Sequence, residues 1–367
     1  MIKFILFIAI LLTSVIVFAN NNASEKRVSF KNLFEPLEDT KSRASGGYMF
    51  HRAWVQITNQ KADENSIKQS SVNLKQLEGH DFSVTWLGHD TMLIKAGKLW
   101  ILTDPVFSQY ASPTAPLGPK RLVQPPLNME DLPHIDIVLI SHDHYDHLDL
   151  QTVRKLAKQK NGSPLFLTGQ GLKSWFNSNV VDAKVEELNW WDEIELGNAN
   201  FKFVPAQHSS GRTFTNKNTT LWGGWVVEYA SKKFYFAGDT AYEAELFAQI
   251  LQKVGHIDLA ALPIGAYKPR NLMRFEHMDP SEAVQAHRDL KPVKSIAIHW
   301  GTFQLGDETS DENRADFAFA IANQNVENFK LIAIGQTEEM DIEVHDQASK
   351  GNLISPNALQ AVSNAPY

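Results

Sequence analysis

From Asp81 onward the chain is a series of short apolar runs cut at Gly, Pro, Asn or Asp. Phe82–Leu87, Thr91–Ala96 and Leu99–Thr103 are rich in aromatic and β-branched residues, with Gly88 and Gly97 as breaks. They predict three consecutive strands in hairpins. The run Ile135–Ile140 reads as a buried strand. Asp149–Lys160 predicts a helix capped by Asp149, and Pro164–Thr168 a strand followed by a short helix. Further strands are predicted over Glu187–Trp190, Asn200–Val204, Trp222–Tyr229, Lys233–Ala237, Asp258–Leu262, Lys294–Ile298 and Lys330–Ile334. Helices are predicted over Tyr242–Val254, Pro280–Leu290 and Glu308–Asn323, with Pro near the start of the second. Hairpins come first and strand–helix alternation follows. This order predicts an α/β fold, an αββα sandwich of two mixed sheets face to face with helices outside.

The ends of the chain depart from this pattern. Met1-Ile2-Lys3 is a positive start, and Phe4–Ala19 is a 16-residue uncharged, largely apolar stretch ending Val-Phe-Ala. It reads as a secretory signal peptide over residues 1–19, or as an N-terminal anchor, although a bilayer span takes about 20 residues. Either reading places the body outside the cytoplasm, in the periplasm or cell envelope if the source is bacterial. Residues 20–80 form an extension with a polar linker at 20–25, a Ser/Gly-rich piece at 42–47 and a polar loop at 59–71. Its amphipathic segment 48–54 can pack on the body or face lipid. Residues 81–342 form the catalytic domain, and 343–367 a tail.

Composition narrows the chemistry. The chain has 367 residues, 43% hydrophobic, with a net charge of −7 and no long basic run. Nucleic acid is therefore excluded as the main partner. There is no Cys, so neither disulfides nor thiolate zinc sites are available, and any zinc takes N and O ligands.

The chemistry concentrates after the Ile135–Ile140 strand, in Ser141-His142-Asp143-His144-Tyr145-Asp146-His147. Imidazole and carboxylate suit Zn²⁺ and related divalent ions. His142 and His144, two apart, can face one metal position. Asp146 and His147, adjacent on a turn, can face a second. One ion cannot easily use all four groups. Single candidates recur past later apolar runs, with His208 after Phe203-Val204, Asp239 after Phe234-Tyr235-Phe236, and His299 after Ile296-Ala297-Ile298. A metal ligand at a strand end in four separate places supports one composite site.

This ligand order resembles the metallo-β-lactamase superfamily. The chain is similar within it to the N-acyl-phosphatidylethanolamine-hydrolysing phospholipase D family. The resemblance rests also on Val84-Thr85-Trp86-Leu87-Gly88-His89, Leu102-Thr103-Asp104-Pro105, Gly118-Pro119-Lys120-Arg121, Trp222-Gly223-Gly224-Trp225, His277-Met278-Asp279-Pro280 and His299-Trp300-Gly301. It covers roughly 82–302. Asp90 stands where the resembled family usually has Ala, and Lys268 where it commonly has an acidic residue.

The resemblance implies two Zn²⁺, or other divalent ions. His142, His144 and His208 hold the first, Asp146, His147 and His299 the second, and Asp239 bridges them. A hydroxide between the ions is the nucleophile on a phosphodiester, with Asp146 also orienting it. The implied substrate is a phospholipid of the N-acyl-phosphatidylethanolamine type or another small phosphodiester. Asp104 is expected to support a ligand histidine from behind, the alternative being a plain Asp-Pro turn. His277 is expected to polarise a phosphoryl oxygen or protonate the leaving group, the alternative being a helix-start His. His89 is as readily structural as functional. Lys120 and Arg121 can meet a phosphate or stay solvated. Trp175, Phe176, Trp190 and Trp191 can line an acyl groove or pack in the core. Competing functions are a lactone, ester or β-lactam hydrolase of the same fold, and a non-catalytic metal-binding protein. Peripheral membrane contact suits a lipid substrate, and a homodimer is compatible with the sequence.

Overall fold

In a computed structural model of the chain, residues 29–34, 67–116, 118–213 and 215–340 are described. The signal peptide or anchor at 1–19, the segments at 20–25, 42–47 and 48–54, most of the 59–71 loop and the tail at 343–367 lie outside the described residues. No helix among the described residues is long and apolar enough to cross a membrane.

Two seven-stranded mixed sheets form the core. The first contains β1 (Phe82–Gly88), β2 (Thr91–Ala96), β3 (Leu99–Thr103), β4 (Ile137–Leu139), β5 (Leu165–Gly169) and β6 (Lys184–Leu188), in sequence order, with β14 (Thr337–Glu339) beside β1. The second runs β13 (Phe329–Lys330), β12 (Lys294–Ile298), β11 (Leu259–Pro263), β10 (Lys232–Phe236), β9 (Gly224–Tyr229), β8 (Ala199–Val204) and β7 (Glu193–Leu196). Neighbours in β1–β2–β3 and β7–β8–β9–β10 are antiparallel, and those in β3–β4–β5–β6 and β10–β11–β12–β13 are parallel. Helices α1 (Leu74–Glu78), α2 (Leu150–Leu156), α3 (Lys173–Asn179), α4 (Ala244–Val254), α5 (Arg270–Met273), α6 (Pro280–Leu290) and α7 (Ser310–Gln324) complete the fold.

Side-chain alternation explains why the runs look almost continuously apolar. In β3 and β4, Ile101, Ile137 and Leu139 join the core between the sheets, while Leu102 and Val138 join a second core on the outer face. A strand buried on both faces needs apolar residues at both parities. Register carries the inner row across the sheet, pairing Val84 with Ile94, Ile94 with Ile101, and Ile101 with Ile137. The outer core is closed by Val153 and Leu156 of α2 and Phe176 of α3. Phe247 and Ile250 of α4 and Val284 of α6 are buried on the second sheet.

The predicted sandwich and its hairpin-then-alternating order are present, and α6 and β12 have the predicted bounds. Several boundaries differ. The helix after Asp149 ends at Leu156 because the stretch beyond it does other work. Gln159 accepts from Ile135 N–H at 2.8 Å and donates to the Ile135 carbonyl at 3.1 Å. The 187–190 strand is displaced to 184–188, and the 330–334 strand stops at Lys330. Gly335, at φ +93°, then turns the chain toward the other sheet, where β14 pairs with β1.

Ligand-type residues leave both sheets at strand C-terminal ends, where ligands of α/β sheets gather. Asp104 follows β3, the 141–147 run follows β4, His208 follows β8, Asp239 follows β10 and His299 follows β12. Trp225 helps to lock the two sheets at this edge. Its ring lies 4.8 Å from Phe203, and its Nε1–H donates to the Ile140 carbonyl at 3.1 Å. We predict that Trp225→Ala lowers unfolding free energy by about 3–5 kcal/mol. Urea denaturation followed by far-UV circular dichroism measures this, and a loss under about 1 kcal/mol would contradict the packing argument.

Candidate metal centre

The seven candidate ligands converge in two groups around one carboxylate. His142 Nε2 and His208 Nε2 lie 2.9 Å and 3.3 Å from His144 Nδ1. Three nitrogens at zinc distance and tetrahedral angles stand about 3.4 Å apart, so this trio can face a single cation. His147, His299, Asp146 and His89 form the second group. There, Asp146 Oδ2 lies 3.3 Å from His147 Nε2 and 3.5 Å from His299 Nε2. Asp239 stands between the groups. Its Oδ2 is 3.6 Å from His208 Nε2 and 3.2 Å from His147 Nε2, and its Oδ1 is 3.0 Å from His299 Nε2.

Unsatisfied atoms are the test of fit. His147 Nε2, His299 Nε2 and Asp239 Oδ1 are buried without a hydrogen bond. Buried polar atoms normally have partners. Here they point at one another across a space suited to cations, so the residues fit divalent metal.

The backs of the rings are held. His147 Nδ1–H donates to Asp104 Oδ2 at 2.8 Å. Asp104 Oδ1 accepts from Ser141 N–H at 2.7 Å, and its Oδ2 accepts a short bond from the Ser141 hydroxyl. That hydroxyl, its proton committed to Asp104, accepts from His142 Nδ1 at 2.9 Å. His208 Nδ1 donates to the Glu276 carbonyl at 2.8 Å. His89, Asp104 and His299 all adopt left-handed backbone, with φ of +52°, +32° and +59°. Such strain, about 1–3 kcal/mol each, gathers at functional sites.

Electrostatics divides the two groups. Burial, with the neighbouring imidazoles of His147 and His144, holds His142 well below the usual imidazole value. Burial also brings His208 to about 4. Burial acts the same way on His299, but Asp239 and Asp90 outweigh it and raise His299 to about 10. His147 is likewise raised against burial by Asp239, Asp146 and Asp104. Burial would raise Asp146, yet His147 and its hydrogen bonds hold that carboxyl well below the carboxylate range.

The remaining sequence candidates divide. His277 reaches the site, its Nδ1 3.8 Å from Asp239 Oδ2. Asp104 supports His147 and is no bare turn. Arg121 is a correction to the phosphate reading, since it is buried and donates to the Val106 and Ser108 carbonyls. Phe176 and Trp175 belong to the outer core, and Trp190 packs against Trp222. The cleft over the site, about 280 Å³, is lined by Ala111, Pro119, Tyr145, Met273, Leu305 and His277 beside the ligands, and by none of the four aromatic candidates. Lys268 pairs with Glu312 at 3.1 Å and Asp316 at 3.6 Å on α7.

Sequence reading missed Asn32. From the extension before the domain, its amide brackets the His208 backbone, accepting from N–H at 3.1 Å and donating to the carbonyl at 2.9 Å. No local pattern marks a contact 176 residues away. His89 is also better placed than expected, its Nε2 3.1 Å from Asp146 Oδ2.

Comparison with known proteins agrees with this geometry. Residues 99–300 match the model of the β-lactamase superfamily domain. The N-acyl-phosphatidylethanolamine-hydrolysing phospholipase D 1 of Caenorhabditis elegans is 39% identical over 258 residues, 66% of this chain and 72% of that protein. The mitochondrial enzyme of that name from Saccharomyces cerevisiae is 36% identical over 230 residues, but the match spans only 48% of its length. A solved metallo hydrolase of the archaeon Ignicoccus hospitalis shares the fold, with a TM-score of 0.53, 20% identity, and coverage of 71% of this chain and 98% of that one. The chain belongs to the metallo-β-lactamase superfamily and is a relative of the N-acyl-phosphatidylethanolamine-hydrolysing phospholipases D.

Two outcomes test the centre. In the metal-free chain the carboxylate neighbours of His147 and His299 raise both, favouring their protonated forms. Cation binding must displace those protons, so Zn²⁺ uptake should release protons and tighten as pH rises from 6 to about 9. Calorimetry in buffers of differing ionisation enthalpy reads the release, and none at pH 7 contradicts the arrangement. Asn32→Ala should weaken Zn²⁺ binding about tenfold by loosening His208, and unchanged affinity would remove Asn32 from the site.

Proposed function

We propose that this chain is a dinuclear zinc phosphodiesterase of phospholipase D type, acting on N-acyl-phosphatidylethanolamine-like lipids. It is a metal-dependent hydrolase, and the ion count, the zinc and the lipid are the proposal. The observation that carries it is Asp239, whose Oδ2 lies between His208 of one histidine group and His147 of the other, while its Oδ1 faces His299. The named activity of the worm and yeast relatives supports the substrate class.

His142, His144 and His208 would hold one cation, and Asp146, His147 and His299 the other, with Asp239 shared. Bound there, two divalent ions lower the pKa of water toward neutrality and neutralise charge growing at phosphorus. Asp146 stays ionised beside His147, and His89 Nε2 lies against Oδ2, the same oxygen that faces His147 and His299. It can therefore orient a nucleophilic water and accept its hydrogen bond. Asp104 and Ser141 keep His147 and His142 in the tautomer that leaves Nε2 open.

His277 lies at the cleft, its backbone carbonyl accepting from Arg270 Nη1 at 2.8 Å. Burial pushes its ring down to about 3, so it is neutral at pH 7. This favours hydrogen bonding to a phosphoryl oxygen over protonation of the leaving group. Attack by water on phosphorus breaks the bond to the headgroup alkoxide, which takes up a proton. The products are phosphatidic acid and an N-acylethanolamine. The reacting phosphodiester would enter this cleft, where Tyr145 and His277 line the approach to Asp146 and Asp239.

The test is turnover of the full chain on N-acyl-phosphatidylethanolamine, phosphatidylcholine, a bis-aryl phosphate, an acyl lactone and a β-lactam, with zinc and with chelator. Chelator-sensitive release of N-acylethanolamine is expected. Cleavage of only the lactone or β-lactam would keep the metal centre and overturn the substrate. Asp239→Asn should lower turnover at least about 10³-fold while far-UV circular dichroism is retained, and full activity with two bound ions would sink the bridging role.

A further inference from the structure

An imidazole that gives one ring nitrogen to a cation is oriented by a partner on the other. His147 has Asp104, His208 has the Glu276 carbonyl and His142 has the Ser141 hydroxyl. His299 lacks such a partner, since its Nδ1 is buried and makes no hydrogen bond. Asp90 has the complementary deficit. It is fully buried, and neither carboxylate oxygen makes a hydrogen bond. Its Oδ2 lies 3.7 Å from His147 Nδ1, a proton already committed to Asp104.

The backbone brings the two unsatisfied residues together. The His299 N–H donates to the carbonyl of His89, the residue directly before Asp90, at 3.2 Å. The carbonyl of Asp90 accepts from Thr103 Oγ1 at 2.6 Å, and that hydroxyl accepts from Met92 N–H at 3.0 Å. The loop is therefore fixed to strands on both sides. An acid sealed at a strand end without a donor is destabilising by itself. It becomes favourable where cations sit beyond the rings it faces.

We propose that Asp90 is a positioning residue for the second cation position, its carboxylate taking the Nδ1 hydrogen bond of His299 when that position is filled. The inference rests on the two-cation reading above. It gives His299 the carboxylate support that Asp104 gives His147. It also makes the second position more negative than its ligands alone would.

Calorimetric titration of the metal-free full chain with Zn²⁺ tests this, using wild type, Asp90→Asn as the isosteric variant and Asp90→Ala. Melting temperatures are taken with and without metal. Two ions are expected to bind wild type. Both variants should weaken the second ion by about 10- to 100-fold and leave the first within about twofold. Metal-free Asp90→Asn should melt close to metal-free wild type, because it keeps the shape and burial of the side chain. Unchanged affinity for both ions overturns the proposal. So does a lower metal-free melting temperature with both affinities lost together, which marks a purely structural residue. Wild type binding fewer than two ions overturns the two-cation reading, and this inference with it.

Discussion

The centre hangs on Asp104. This carboxylate has no exposed surface, and it accepts from the Ser141 N–H, the Ser141 hydroxyl and His147 Nδ1. A buried carboxylate is unfavourable unless such bonds replace its water. Here they also join the end of β3 to the end of β4. Through Ser141 the same residue reaches His142, and directly it reaches His147. One histidine from each candidate group, both from the loop after β4, is thus oriented by one acid at the end of the adjacent parallel strand β3.

The rest of the fold can be read as what keeps that knot in place. His89, Asp104 and His299 sit in left-handed backbone immediately after strands. A loop free to relax would leave those conformations. Buried strands on either side prevent it, and Trp86 adds to the restraint by donating to the His89 carbonyl at 2.8 Å while stacking on Trp300. The two-faced core is therefore tied to function through geometry. Apolar layers on both sides of the first sheet hold the strand ends rigid, and the ligands inherit that rigidity.

Legibility in the sequence followed the locality of the cause. β1 to β3, α6 and β12 were readable because their pattern, breaks and caps lie within the segment, as in the reciprocal Asp279–Glu282 capping box of α6. The candidate ligands were readable because imidazoles and carboxylates directly after apolar strands leave a local trace. β7 and β14 were not. Glu-Ile-Glu-Leu and Thr-Glu-Glu are short, polar edge segments whose strand state comes from a neighbour distant in sequence or from an edge position. Asn32 was invisible for the same reason. Arg121 misled because a cation beside Lys120 suggests a surface, whereas its guanidinium lies over Phe303 and holds two loop carbonyls. Asp90 was noticed as a departure, but which way it pointed depended on Thr103 and on the loop's pairing with His299.

The two groups also differ in kind, and the difference comes from what surrounds each. Around His142, His144 and His208 the nearest back-side partners are a hydroxyl and a carbonyl. Burial and mutual repulsion keep His142 and His208 neutral, the form that binds metal without first losing a proton. Around His147 and His299 stand Asp146, Asp104 and Asp90, and the carboxylates near them raise both rings above the usual imidazole range. The first group is kept neutral by burial, and the second is held together by opposite charges. Asp239 belongs to both, with its ionised form favoured by His299 and His147 against the cost of burial. Its position gives the pair a single electrostatic link: whatever fills one group changes the charge that the other group faces across that carboxylate.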